Sequence, residues 1–143
     1  MCLIVEKNIK EKIAEEDIIC YKRLDVYPRP DGTYRLVSLY QFFEYKLNVL
    51  YKTTFEPKEL TSKVGYESGV FYANCDATDY YSTFPYLLLK VYQKGFHSYK
   101  KLDKINRHEE GSTVKCVIPA GTKYIEDKTG LICSEAIKII EIL

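Results

Sequence analysis

The chain has no tryptophan, one methionine and only two histidines among its 143 residues, and no surplus of charge, since 21 basic residues stand against 20 acidic ones. That balance removes any global pull toward nucleic acid or an anionic membrane. With His97 and His108 as the only histidines, material for acid–base chemistry is scarce. No apolar run approaches the roughly 20 residues that span a bilayer as a helix. Cys2–Val5 is too short for a signal-peptide core. Repeats, low-complexity tracts and linkers are missing, so a single domain over residues 1–143 is expected. Cys2, Cys20, Cys75, Cys116 and Cys133 form an odd, scattered set without Cys-x-x-Cys spacing, which argues against a disulfide framework and a zinc knuckle. Apolar neighbours beside four of them mark reduced core residues. The expected setting is a reducing cytoplasm, with no metal, cofactor or membrane partner.

What is present is a globular composition. Hydrophobic residues make up 46% and charged residues 29%, too apolar for disorder of the whole chain. Surface scaling gives about 7,600 Å² exposed when folded against about 24,000 Å² unfolded, so roughly two-thirds is buried, enough for a self-sufficient core. The aromatics are 14 tyrosines and 6 phenylalanines. Tyrosine fills half-buried strand surfaces while keeping a polar tip, so its excess fits a strand-rich domain.

Local pattern predicts strands at Cys2–Glu6, Ile18–Tyr27, Tyr34–Val37 and Leu47–Tyr51, with Pro28–Thr33 as a hairpin turn. Lys7–Asp17 reads as a polar connection, Ser38–Lys46 as unpatterned, and Pro57–Lys63 as a loop. Val64–Cys75 reads as a strand weakened by Gly65 and Gly69. Phe84–Tyr92 fits a helix with Pro85 in its first turn and Gly95 past its end, and fits a buried strand equally well. Ser98–Arg107 predicts a short amphipathic helix, since Tyr99, Leu102 and Ile105 recur every three residues and Ser98 stands as N-cap. Further strands are predicted at Thr113–Ile118, Lys123–Glu126, Leu131–Cys133 and Ala136–Leu143. The expected fold class is α+β: a strand-rich, mostly antiparallel domain of roughly five to eight strands with one or two short helices.

Candidate chemistry concentrates in residues 90–107. Lys90, Lys94, Lys100, Lys101, Lys104 and Arg107 face Asp103 alone, interleaved with Tyr92, Phe96, His97 and Tyr99. This mixture serves phosphates and stacked bases, and it equally describes the solvated face of a short helix. His97, in Gly95–Ser98 between two expected elements, suits a general base, a ligand contact or a metal ligand, and also a histidine packed at a turn against backbone. Ligand binding is accordingly assigned to His97, Ser98, Tyr99 and Lys101. His108, beside Glu109 and Glu110, reads as an exposed loop residue. The acidic groups Glu15–Asp17, Asp76 with Asp79, and Glu109–Glu110 have no spacing that dictates geometry and read as solvated turns. Ala120–Lys123 is no phosphate loop, because the upstream glycine is missing and a strand follows.

Ile19–Lys22, Gly95–Ser98, Val117–Tyr124 and Cys133–Ile140 together resemble small proteins of tailed phages and gut Bacteroidales that share a Gly-Phe-His segment and a closing apolar strand. The resemblance implies a phage or prophage setting and supplies no activity. Val117–Tyr124 followed by Ser134 and Glu135 is also similar to the ADP-ribosyltransferase fold, where such a strand and turn precede a strand beginning with the catalytic glutamate. That similarity implies Glu135 orienting an acceptor nucleophile and Tyr21 and Lys22 near a nicotinamide pocket. The first strand lacks the His or Arg of that family, and no Ser-Thr-Ser strand is present. The catalytic candidates are thus His97, Glu135 and Tyr21. The leading expectation is a non-enzymatic, phage-type accessory protein that binds a small ligand, a nucleotide or a host protein through residues 92–107. The alternatives are an NAD-dependent ADP-ribosyltransferase-like enzyme and a structural or assembly protein.

Overall fold

Short β-branched and aromatic runs punctuated by Gly, Pro and Asp turns favour strands over helices, and in the computed structural model strands form almost everywhere. The structure describes residues 3–39, 43–63, 65–67, 70–72, 86–104 and 111–143. The strands are β1 (Leu3–Glu6), β2 (Lys12–Ile13), β3 (Ile18–Pro28), β4 (Tyr34–Ser38), β5 (Glu44–Tyr45), β6 (Leu50–Lys52), β7 (Lys58–Lys63), β8 (Gly65–Glu67), β9 (Val70–Tyr72), β10 (Tyr86–Tyr92), β11 (Phe96–Tyr99), β12 (Ser112–Ile118), β13 (Lys123–Glu126), β14 (Leu131–Ser134) and β15 (Ala136–Ile142). A single 3-10 turn, Leu102–Lys104, is the only helical element among the described residues.

The α+β expectation is therefore overturned: the described residues form a β-sheet domain. The helix expected over Ser98–Arg107 fails because Tyr99 is held as a strand residue, paired with Leu131 on one side and Tyr21 on the other. Three apolar residues at a spacing of three are too few to fix a period. Leu102, which that helix would have turned inward, is 53% exposed. Ile105, Asn106 and Arg107 lie outside the described residues, as do His108 and the acidic groups at 76–79 and 109–110. The ambiguous Phe84–Tyr92 segment is a strand from Tyr86 onward, flanked by β1 and β7. Pro57–Lys63, expected as a loop, contributes β7, and the polar connection Lys7–Asp17 contains β2.

Every strand ladder is antiparallel. The main sheet runs β2-β13-β14-β11-β3-β12-β15-β6, with β4 attached to β3 and β5 to β4. Leu24 pairs with Ser112 of β12 and with Ser38 of β4, so β12 lies on one side of the long β3 while β4 and β11 share the other. Glu135 alone separates β14 from β15. One nearly continuous strand thus pairs with β11 through its first half and with β12 through its second, and the ladder β14-β11-β3-β12-β15 closes on itself. A bulge between Lys115 and Cys116 supplies part of the curvature.

The enclosed core contains Cys20, Leu24, Val114, Cys116, Ile118, Ile132, Ile137 and Ile139, capped by Leu36 and Tyr45. A second cluster packs Leu3 and Val5 of β1 with Tyr92, Ile125 and Cys133. This cluster covers the other face of β14, which is why β14 is buried at consecutive positions, Ile132, Cys133 and Ser134.

Candidate functional site

The residues first assigned to ligand binding are divided by the fold. β11 is covered on both faces, so His97 and Ser98, though adjacent, are both buried. His97 pairs with Cys133, toward the second cluster. Its Nε2 lies 3.0 Å from the carbonyl oxygen of Tyr92. Burial, partly offset by that hydrogen bond, pushes the imidazole down to about 4, so the ring is neutral at physiological pH and donates its proton to the carbonyl. Ser98 and Phe96 face the enclosed core with Cys20, Lys22 and Cys116. Lys22 donates from Nζ to the carbonyl of His97 and sits 5.9 Å from the centroid of the Tyr45 ring. The ammonium is enclosed and burial lowers its pKa, although the stem of the residue keeps some exposure. His97 is a strand-packing residue and Ser98 is inaccessible from outside. Tyr99 is half-buried at the end of β11, and Lys101 is exposed.

Glu135 and Tyr21 lie on different parts of the fold. Glu135 occupies the junction of β14 and β15. Its N–H donates to Lys123, its carbonyl accepts from Thr53, and its Oε2 accepts the N–H of Phe55 at 2.7 Å. The carboxylate thereby pins the segment after β6. It borders an open groove of about 420 Å³ with Lys52, Thr53 and the Pro119–Lys123 turn. Tyr21 pairs with Tyr99 and Lys115 in the main sheet and does not line that groove.

The basic stretch is likewise dispersed. Lys94 pairs with Glu56 at 2.8 Å and Lys100 with Glu126 at 3.4 Å, while Lys90 belongs to β10 in the three-stranded sheet β1-β10-β7. Lys101 lines an open groove of about 790 Å³. Its floor and rims come from Lys12–Ile19, Lys100, Lys101, Tyr124 and Glu126. Asp17 is tied down by accepting the N–H of Ala120 at 2.9 Å. The side chains of Lys12, Glu15, Glu16 and Lys101 make no ion pair or hydrogen bond with a described residue. Ile13 is 55% and Ile19 42% exposed beside them. Among the described residues β2 forms an end of the main sheet, paired with β13 only. Of these residues, sequence reasoning assigns only Lys101 to binding and passes over the rest. The signal it had was the coincidence of the acidic run Glu15–Asp17 with isoleucines on both sides, which a solvated turn does not require.

Among the described residues no group of three His, Cys, Asp or Glu is placed to hold a metal ion, and no helix is long and apolar enough to cross a membrane. Comparison with known proteins finds no match to a family model, to a curated protein or to a solved structure.

Proposed function

We propose that the protein is a non-enzymatic accessory protein that binds an extended segment of a partner polypeptide in the groove beside β2. The observation that carries this reading is the coincidence, in one groove of about 790 Å³, of an unpaired sheet edge, two exposed isoleucines and unpaired charges of both signs. A free edge offers backbone hydrogen bonds to an added strand, and pockets for alternate side chains select its sequence. At two residues β2 is too short to supply the affinity by itself. The apolar anchors are Ile13 and Ile19, with Lys12 and Lys101 set against Glu15 and Glu16 to fix register and charge pattern. A phosphate-rich ligand fits poorly, because Glu15, Glu16, Asp17 and Glu126 line the same groove. Free buried thiols at Cys20, Cys116 and Cys133 support a reducing, cytoplasmic setting for the encounter.

The test is a selection from a displayed random-peptide library, followed by fluorescence anisotropy on the enriched peptides. Enriched sequences carry two apolar residues in alternation flanked by opposite charges. Ile13→Asp or Lys101→Glu weakens binding at least tenfold, while His97→Gln leaves it unchanged. Equal binding by wild type and both groove variants removes the assignment.

A further inference from the structure

One cluster inside the closed ladder is unused by the groove. Cys20 of β3 and Cys116 of β12 are directly opposite each other in the antiparallel pair, and both are fully buried. Residues facing one another in such a pair have Cα atoms roughly 4.5–5.5 Å apart, whichever hydrogen-bonding position they occupy, within the roughly 4.4–6.8 Å that a disulfide bridges. Their surroundings are polar for the centre of an apolar core. The Ser98 hydroxyl is buried without a conventional hydrogen-bond partner and lies against the Cys20 sulfur. The Lys22 ammonium, with no described carboxylate beside it, adds a positive charge within reach of both thiols. An enclosed amine and an unpartnered hydroxyl cost stability, and departures of that kind mark functional positions in otherwise consistent folds.

We infer that Cys20 and Cys116 are a redox-active pair that closes to a cross-strand disulfide on reaction with a peroxide. The adjacent Cys116 and Ser98 side chains and the charge of Lys22 favour the Cys20 thiolate against burial, whereas Cys116 itself is shifted upward and its thiol donates to the Val114 carbonyl at 3.9 Å. Cys20 is therefore the attacking sulfur and Cys116 the resolving one. The Cys20 thiolate attacks one peroxide oxygen, the O–O bond breaks, and hydroxide leaves and is protonated to water. The resulting sulfenic acid is attacked by the Cys116 sulfur; the S–S bond forms, the S–O bond breaks, and the departing hydroxide takes the Cys116 proton as a second water. Two thiols are oxidised and one peroxide is reduced to two waters. Because both sulfurs are enclosed, a water-sized oxidant reaches them through local opening of the strand pair, which sets a slow rate.

The test treats the folded protein with hydrogen peroxide, removes the oxidant, alkylates the remaining thiols in denaturant and digests with trypsin without reduction. Cleavage after lysine and arginine places each of the five cysteines on a different peptide, so every linkage reads out separately. The expected product is the Cys20 peptide joined to the Cys116 peptide with loss of two hydrogens. It is retained in Cys133→Ser and accompanied by a rise in melting temperature that a dithiol reverses. Cys116→Ser is expected to stop at a trappable sulfenic acid on Cys20. The inference is overturned if Cys20 and Cys116 remain alkylatable after peroxide, if either links instead to Cys133, or if the linkage forms only in protein unfolded beforehand.

Discussion

His97 and Lys22 have opposite effects on stability. The imidazole has an ordinary value of 6.5 and is held near 4 in the fold. A depressed value means that the unfolded chain binds the extra proton first. The stabilising contribution is complete above about 6.5 and is lost progressively as pH falls to about 4, and over that window it amounts to on the order of 3 kcal/mol. His97→Gln keeps a donor for the Tyr92 carbonyl and removes the titration. Urea unfolding of this variant is expected to be flatter between pH 6.5 and 4 than that of the wild type, and identical pH profiles would contradict the buried, neutral assignment. Lys22 is an enclosed cation without a carboxylate partner among the described residues, so its desolvation is poorly compensated. Lys22→Met, of similar length and apolar, is expected to raise stability at neutral pH by about 1 kcal/mol or more. A loss of similar size in denaturant unfolding would show that the bond to the His97 carbonyl outweighs that cost.

Between strands, single residues hold the junctions. Removing the Glu135 carboxylate leaves the Phe55 N–H without its acceptor, so Glu135→Ala is expected to lose about 1–3 kcal/mol and to speed hydrogen exchange at Phe55, with Glu135→Gln largely restoring both. Gly95 joins β10 to β11 at a φ of 132°, and a Cβ there would lie 2.4 Å from the Cys133 sulfur. Gly121 sits at a φ of 86° with open space around it. Gly95→Ala is expected to destabilise by roughly 2–4 kcal/mol, Gly121→Ala by about 1–2 kcal/mol, and equal thermal shifts would contradict this packing. The same contrast explains what was legible in advance. β12 to β15 could be read almost residue for residue, because each is an apolar run bounded by a turn with its own chemistry, such as Asp127 accepting the N–H groups of Thr129 and Leu131. β11 was read as the start of a helix because its partners, β3 and β14, are distant in sequence and leave no local mark. His97 reads in the sequence both as a ligand contact and as a histidine packed against backbone, and the fold places it in the second way for a related reason. Only the closure of the ladder at Glu135 and the packing of β1 against β14 place a cover over both faces of β11.

At the scale of the molecule, the main sheet leaves three strands, β2, β5 and β6, without a second neighbour among the described residues. The end at β2 adds unpaired charges of both signs to an exposed apolar floor, and that combination distinguishes the groove from ordinary surface. A shallow groove with a two-residue edge implies rapid, micromolar association, in keeping with small interfaces. The most direct measurement is an amide chemical-shift titration of the isotope-labelled protein with a library-selected peptide. The account predicts fast-exchange shifts confined to Lys12–Ile19, Lys100, Lys101 and Tyr124–Glu126, together with slowed hydrogen exchange at the free edge of β2. Shifts centred on the groove at Glu135, or none with any selected peptide, would contradict it.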